Sequence, residues 1–397
     1  MKKTLSFYLL STVGIFVLFG CNLQAPPILH PNPVDPTLVA EADCDESPIE
    51  KVEPENKPKL PELVQANGGY KTVPLEKENI VLKIVQSDAS PVEDFNTPEM
   101  AMQANLTHVT QMGYDACDQG DSPDIILFHE FPFSGYVYGS RREKLAIAID
   151  IPGKETDAMA ELAKYCDAYV IFGSYAKDSD WPGHVLSLTT IINRQGEILK
   201  KVWKPRNIKR FYSTFEITTT TVESVRTKFR EKYGVEEELP VIRTEFGNIA
   251  VSTAQLDPLV FAAFAMQGAE LILRTATLYF ETDAIHTAMV NNVYSAMANI
   301  PHESKYGGRS LVVNPEGEVV AQAQGNLTET IVTARIPIGD FRRGRMLPQY
   351  TTEFTRHIFE QYQPEIPMDH LDLPEEELPV NGSAMKALLD RISRWLN

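Results

Sequence analysis

Three separate stretches of the chain carry residues that could act together on a carbonyl group. "DIILFHEFPFSGY" places Glu130 at the end of an apolar run, and "GEILKKVWKPRN" places Lys204 at the end of a strand-like run. A carboxylate can take a proton from a nucleophile, and a fixed ammonium can stabilise a developing oxyanion. The third stretch, "GNIAVSTAQLDPLVFAAFAMQGAELILR" (247–274), has the strand, turn and helix pattern that often holds a nucleophile, yet it contains no cysteine.

The elements around these stretches predict a sheet covered by helices. Apolar runs near 80–87, 124–130 and 168–176 alternate with helical patterns at 96–117 and 155–167, an order typical of layered α/β folds. Two hairpins are predicted, with turns at 193–196 and 314–317, so the sheets should be mixed. Residues 218–234 are predicted to form a surface helix.

Five ordered matches make the chain resemble the carbon–nitrogen hydrolase family of nitrilases, aliphatic amidases and carbamoylases. They are Glu130 with Gly135 and Tyr136; Gly196, Ile198 and Lys204; Gly247, Ile249, Pro258 and "GAELIL"; "AMVNNVYSAMAN"; and "GGRSLVVNPEGEVVAQA". The resemblance covers roughly residues 78–345. It implies an α/β fold, a layered α-β-β-α sandwich with mixed sheets, and a homo-oligomer. It also implies that Glu130 is the general base and that Lys204 stabilises the tetrahedral intermediate.

The family's nucleophilic cysteine has no counterpart in this chain. Alignment from Gly247 puts Ala254 at the nucleophile position, whereas counting back from Pro258 puts Ser252 there. We prefer Ala254, because the register of a strand is harder to shift than the turn after it. On a strand that continued through 254, Ser252 and Ala254 would share one face and Thr253 would point away.

Three functions fit these observations. The first is hydrolysis of a small amide or nitrile by altered chemistry, with Ser252 attacking or with Glu130 activating water. The second is binding of a small amide, nitrile or carboxylate without turnover, and the third is an interaction scaffold. Retaining both Glu130 and Lys204 disfavours the scaffold, because a buried charge pair costs desolvation. Hydrolysis and binding stay open.

Further residues are candidates for roles in the same site. Tyr136 is a candidate for substrate binding, with simple packing as the alternative. Arg274 is another candidate, because its planar fork suits a carboxylate; a structural salt bridge is the equal alternative. Glu216 is a candidate for a second glutamate near Lys204. His129 should face away from Glu130 and be a packed or exposed histidine.

The composition and the missing motifs exclude several classes of partner and cofactor. The formal net charge of −17 at pH 7 repels phosphate backbones, so we expect no nucleic acid. The sequence lacks a GxSxG elbow, a phosphate loop and a dinucleotide fingerprint. We expect no cofactor, and no metal either, because paired Cys or His spacing is missing. Cys117 and Cys166 are expected to be packed core groups rather than catalysts.

The N-terminal residues predict a protein exported and held at a membrane. Residues 1–20 carry two lysines and an apolar run that ends in "LFGC", which resembles a bacterial lipobox, so they read as a lipoprotein signal peptide with Cys21 lipidated. The alternative is plain secretion with cleavage nearby. With the lipid anchor, the expected compartment is the bacterial cell envelope, on the periplasmic side or at the surface.

The remaining chain divides by composition into three parts. Residues 21–75 are a proline-rich acidic tether, 76–345 the hydrolase-like domain, and 346–397 a C-terminal extension. The last helix of the extension has one apolar face, which includes Met385, Leu388 and Leu389. That face should pack either on the domain or on a partner subunit, and the extension is a candidate for oligomer contacts.

We predict that Cys21→Ser releases the protein from membranes, because acyl chains on this cysteine would contribute about 0.8 kcal/mol per buried methylene. Fractionation of a bacterial host should move the variant from the membrane to the soluble fraction. Cys44→Ser is the matched control and should stay with the membrane. A Cys21→Ser protein that also stays there would contradict the anchor.

Overall fold

Apolar strands alternating with helices build two stacked sheets. The structure is a computed structural model that describes residues 63–65, 67–207 and 218–395, all within one compact unit, Lys59–Asn397. The strands are β1 (Ile80–Gln86), β2 (Ile125–Phe128), β3 (Tyr169–Ala176), β4 (Leu186–Ile192), β5 (Ile198–Trp203), β6 (Ile242–Thr244), β7 (Gly247–Ser252), β8 (Leu271–Ala276), β9 (Tyr294–Asn299), β10 (Leu311–Val313), β11 (Val319–Gln322) and β12 (Thr330–Ile336). The helices are α1 (Glu99–Asp118), α2 (Arg141–Ala146), α3 (Lys154–Cys166), α4 (Arg226–Tyr233), α5 (Pro258–Met266), α6 (Glu281–Asn291), α7 (Ile338–Gly344), α8 (Thr352–Gln361) and α9 (Gly382–Ile392).

Both sheets are six-stranded and mixed. The first has the order β12-β1-β2-β3-β4-β5, and the second has the order β11-β10-β9-β8-β7-β6. In the first sheet β1, β2 and β3 are parallel, whereas β12, β4 and β5 join by antiparallel pairing. In the second, β7, β8 and β9 are parallel. The parallel strands sit in the middle of each sheet, where both faces are covered, as parallel pairing favours.

Apolar side chains of the two inner faces form the central core. Leu82 and Leu127 of the first sheet and Val251 and Leu273 of the second belong to one buried cluster. On the outer face of the first sheet, α1 and α3 complete a second cluster. On the outer face of the second, α5 and α6 pack against its strands. The fold is therefore the predicted α-β-β-α sandwich.

Both predicted hairpins are confirmed. Strands β4 and β5 pair antiparallel on either side of residues 193–196, and β10 and β11 do so around 314–317. Gly196 and Gly317 have φ of +78° and +85°, the left-handed region that glycine adopts without a steric penalty. Turn chemistry in the sequence was therefore a reliable guide to these connections.

The prediction of one surface helix over 218–234 was wrong in its first half. The run of threonines at 218–221 is buried, and the Thr220 backbone N–H donates to the Val185 carbonyl at 2.7 Å. A 3-10 turn, Glu223–Val225, leads into the helix α4. Threonine is β-branched and favours extended backbone, which explains the difference.

Cys117 and Cys166 are joined in a disulfide between α1 and α3, with their Cα atoms 5.5 Å apart. The sequence favoured packed cysteines and left the pairing of Cys44, Cys117 and Cys166 open, because spacing along the chain does not reveal a pairing. The crosslink ties together the two helices that cover the first sheet.

The C-terminal extension packs on the domain of its own chain. Met385, Leu388 and Leu389 of α9 are buried in the cluster that contains α1 and α3. This resolves the choice left open by the sequence for that helix. In contrast, α8 has no buried residue, and its Phe354 is 78% exposed.

Several predictions concern residues outside the described ranges. They are the signal peptide, Cys21, Cys44, Glu216 and most of the tether. Across residues 63–65, 67–207 and 218–395, no helix combines the length and the hydrophobicity that crossing a bilayer requires. The lipid anchor and the proposed domain bounds stay predictions.

Candidate active site

A cavity of about 570 Å³ opens where the strands of both sheets end. The first sheet contributes Glu130, which follows β2, and Lys204, which follows β5. The second sheet contributes Thr253, Gln255 and Thr277, which follow β7 and β8. All of them lie at the carboxyl ends of strands, the usual place for a ligand in α/β proteins. The cavity has the size of a typical small-molecule site.

Glu130 and Lys204 form a buried ion pair in the cavity wall. Lys204 Nζ lies 3.3 Å from Glu130 Oε1, and the two residues are 7% and 3% exposed. The other carboxylate oxygen, Oε2, accepts a hydrogen bond of 2.9 Å from the Thr277 hydroxyl. The carboxylate is thus held by one group from each sheet, and its orientation is fixed.

Two glycines make room for the Glu130 segment. A Cβ at Gly173 on β3 would lie 2.5 Å from the Glu130 carbonyl oxygen and 2.6 Å from its Cα. Gly135 has φ of +63°, and a Cβ there would lie 2.6 Å from the Ala89 carbonyl oxygen. A larger residue at Gly173 would displace the backbone that carries Glu130, and one at Gly135 would displace the Ala89 segment, which also lines the cavity. Both the positive φ and the close backbone contact explain why the sequence motif has glycine at position 135.

His129 packs in the core and does not contribute to the charge pair. It is fully buried, with its Nε2 3.1 Å from the Ser87 hydroxyl and its Nδ1 accepting from the Phe131 N–H at 3.3 Å. Burial lowers the pKa of His129 to about 3, so the ring is neutral. Strand alternation had predicted a side chain that faces away from Glu130.

The segment around position 254 departs from the strand pattern that the sequence suggested. Strand β7 ends at Ser252, so alternation does not continue beyond it. Thr253, expected to point away, lines the cavity together with Gln255. Ala254 between them is fully buried, and its N–H donates to the Ser252 hydroxyl at 3.0 Å. Ser252 is only 2% exposed, and its hydroxyl accepts this backbone hydrogen bond. A buried hydroxyl held in this way is poorly suited to attack a substrate.

Arg274 does not take the substrate-binding position considered for it. It is fully buried, with its guanidinium Nη1 2.5 Å from Asp283 Oδ2 and stacked 4.0 Å from the centre of the Phe261 ring. Helix α6 supplies Asp283 over the end of β8, so the charge is satisfied inside the protein. The alternative of a structural salt bridge is the one that the structure favours.

Tyr136 lines the cavity, in keeping with its candidate role in substrate binding. Its ring meets that of Tyr138 edge to face, with centroids 4.9 Å apart, and Tyr138 is 68% exposed at the mouth. Leu278, Ile300 and other apolar groups extend this wall. A ligand bound here therefore meets the buried Glu130–Lys204 pair and an aromatic and apolar wall, with Asp88 and Glu303 as exposed charges of the lining.

The sequence analysis did not identify Thr277 and Gln255 as residues that line the cavity. Thr277 follows a buried strand, so the rule that ligands gather at carboxyl edges was an available signal. Gln255 carried no signal, because its exposure to the cavity depends on a turn whose Leu256 has φ of +53°.

Two stacked mixed sheets with a Glu130–Lys204 pair in a cavity at their carboxyl edges define a class of layered α/β proteins. Residues 88–346 match the family model described as "Carbon-nitrogen hydrolase", and the chain belongs to this family. Among curated relatives, "Omega-amidase NIT2" of Bos taurus is 29% identical over 201 residues, 47% of this chain and 68% of that protein. "Nitrilase 3" of Arabidopsis thaliana is 24% identical over 267 residues, 56% of this chain and 71% of that protein.

Solved structures of the superfamily share the fold. A double mutant of the amidase from Nesterenkonia sp. AN1, in complex with acrylamide, aligns with a TM-score of 0.52 and 17% identity, covering 72% of this chain and 100% of that one. Nit3 of Saccharomyces cerevisiae, a member of the nitrilase superfamily, aligns with a TM-score of 0.53 and 18% identity, covering 73% and 98%. At this identity the likeness bears on the fold alone.

We predict that Ala254→Cys creates a thiol that reacts with iodoacetamide at least about tenfold faster than an ordinary buried cysteine, because our alignment puts this position between the Glu130 base and the Lys204 cation, a setting that favours the thiolate. Glu130→Gln in the same background should slow the reaction. Labelling is followed by mass spectrometry of the peptide, against wild-type protein to account for Cys44.

Ala250→Cys is the matched control. Ala250 is also fully buried on β7, but it packs in the cluster on the α5 side of the second sheet. Equal reactivity at 250 and 254 would show that the alignment of the nucleophile position is wrong.

Proposed function

We propose that this protein binds a small amide at the Glu130–Lys204 pair and does not hydrolyse it through a cysteine. The observation that carries the proposal is the buried Glu130–Lys204 contact of 3.3 Å in a cavity wall that also contains Thr253 and Gln255. Thr253 and Gln255 flank Ala254, which our alignment places at the position of the nucleophile. The methyl group of an alanine has no lone pair with which to attack a carbonyl carbon. The site therefore keeps the groups that bind an amide but lacks a cysteine to attack it.

The charge pair favours an amide over the other ligands considered. Lys204 can donate a hydrogen bond to a carbonyl oxygen, and Glu130 can accept one from an amide N–H. A nitrile offers only an acceptor, and a carboxylate would be repelled by Glu130. A primary amide matches both partners.

A solved relative supports amide binding without a thiol. A variant of the Nesterenkonia amidase with one cysteine changed to alanine is in complex with butyramide. Retention of Glu130 and Lys204 in this chain is consistent with the same kind of complex. Hydrolysis by a water molecule that Glu130 activates is the competing function, and release of ammonia distinguishes it.

We also propose that the protein acts at the bacterial cell envelope, anchored through a lipid on Cys21. The leader sequence supports this location, and so does the Cys117–Cys166 disulfide, because structural disulfides persist in oxidising compartments. A tether rich in proline would hold the domain away from the bilayer.

A homo-oligomer is the final part of the proposal. The family resemblance supports it, and so does the apolar surface of α8, on which Phe354, Ile358 and Phe359 are 78%, 57% and 54% exposed. Exposed apolar side chains grouped on one helix often mark a contact with another protein chain.

Wild-type protein should bind butyramide without releasing ammonia, and it should bind butyronitrile and butyrate more weakly. Glu130→Gln and Lys204→Met should each weaken butyramide binding at least about tenfold, the typical effect of a lost charged hydrogen bond. Calorimetry or ligand-observed NMR measures binding, and an ammonia assay measures turnover.

Glu161→Gln, which changes an exposed carboxylate paired with Lys164 on α3, is the matched control and should bind normally. Ammonia release that depends on Glu130 would favour hydrolysis. No binding of any amide would refute the proposal.

Sedimentation velocity at micromolar concentration should show a species larger than one chain. Phe354→Ser with Ile358→Ser should shift it toward the monomer, because the two changes remove apolar surface from the proposed contact. Met100→Ser alters an 82% exposed methionine on α1 and is the control. A monomeric wild-type protein would count against the oligomer.

A further inference from the structure

Two buried polar groups beside Ala254 have no partner among the residues that the structure describes. Thr253 Oγ1 and Gln255 Nε2 are buried and make no hydrogen bond within the part of the chain that the structure describes. The two residues are 3% and 5% exposed, and both line the cavity. A buried donor without a partner costs free energy, so such groups usually meet a ligand or an ordered water.

A hydrogen bond from Arg274 fixes the orientation of the Gln255 side-chain amide. Arg274 Nη1 lies 3.3 Å from Gln255 Oε1, and arginine can only donate. The oxygen of the amide must therefore face Arg274, which leaves the –NH₂ group directed elsewhere. Arg274 itself is held by Asp283, which also accepts the Leu256 N–H at 3.0 Å. The donor on Gln255 is thus presented by a rigid support.

The number of donors in the wall exceeds what one carbonyl oxygen can accept. Lys204 offers a hydrogen bond to the amide oxygen in the complex proposed above. The Gln255 –NH₂ group adds two hydrogens, and the Thr253 hydroxyl adds one. A carbonyl oxygen has two lone pairs, so the surplus fits a second oxygen atom on the ligand.

We infer that Thr253 and Gln255 form a recognition site for a second oxygen, a hydroxyl or carbonyl, carried by the bound amide. The inference rests on the proposed amide binding and narrows the ligand to an oxygen-substituted amide. Thr253 and Gln255 are specificity residues in this scheme, whereas Arg274 is a positioning residue that acts through Gln255.

The test compares butyramide with 2-, 3- and 4-hydroxybutyramide on the full-length protein. At least one hydroxyamide should bind about tenfold more tightly than butyramide, the gain from a hydrogen bond to an otherwise unpaired buried group. Thr253→Val and Gln255→Glu should each abolish that preference, so that the hydroxyamide and butyramide bind with about equal affinity. The valine removes the hydroxyl at nearly equal volume. The glutamate keeps an acceptor for Arg274 but replaces the donor with an acceptor.

Thermal unfolding supplies a second readout for the threonine. Thr253→Val should raise the melting temperature of the free protein, because it removes an unpaired buried hydroxyl, while it lowers the preference for the hydroxyamide. Thr190→Val is the matched control. Thr190 Oγ1 on β4 is also buried without a partner in the described ranges, and Thr190 lies outside the cavity wall described for those ranges. It should gain stability and keep the preference.

The outcomes separate the two proposals. Wild-type protein that binds all four amides equally overturns this inference and leaves amide binding intact. A preference that survives both Thr253→Val and Gln255→Glu also overturns it. Wild-type protein that binds none of the four refutes amide binding and this inference together.

Discussion

Face-to-face packing of the two sheets is the constraint on which the site depends. Glu130 and Lys204 follow strands of the first sheet, and Thr277 follows a strand of the second. The 2.9 Å hydrogen bond from Thr277 to Glu130 crosses from one sheet to the other, as does the 3.1 Å contact between the Thr189 and Thr275 hydroxyls. If the apolar inner faces did not hold the sheets together, the ion pair would become an exposed pair of little energetic value. The charge pair is therefore a product of the hydrophobic core.

Sequence reasoning recovered the features with local or regular signals. The strands, the two hairpin turns and the pair Glu130 and Lys204 follow from periodicity, turn residues and ordered motifs. It failed where the backbone leaves a regular element. The end of β7 at Ser252 rotates Thr253 into the cavity wall, and no period of two predicts that. It also left Arg274 undecided, because the partner that neutralises its charge lies on the next helix and is known only from the fold.

Membership of the family does not by itself determine an activity. A fold places groups at a sheet edge, whereas chemistry requires particular atoms there. Glu130 and Lys204 supply a carboxylate and an ammonium in contact, and our alignment predicts that Ala254 occupies the position of the nucleophile. The cavity wall carries the polar side chains of Thr253 and Gln255 on either side of that alanine. Recognition of an oxygen-rich ligand is a use that such a wall can serve.

The Cys117–Cys166 crosslink has a consequence for how the protein is made. It closes only where thiols are oxidised, and the helices that it joins, α1 and α3, flank the β2 strand that leads into Glu130. A chain synthesised in a reducing cytoplasm would lack this covalent tie, which shrinks the unfolded ensemble and so favours the native state. The packing of α1 and α3 on the first sheet is then most stable in chains whose two thiols have been oxidised.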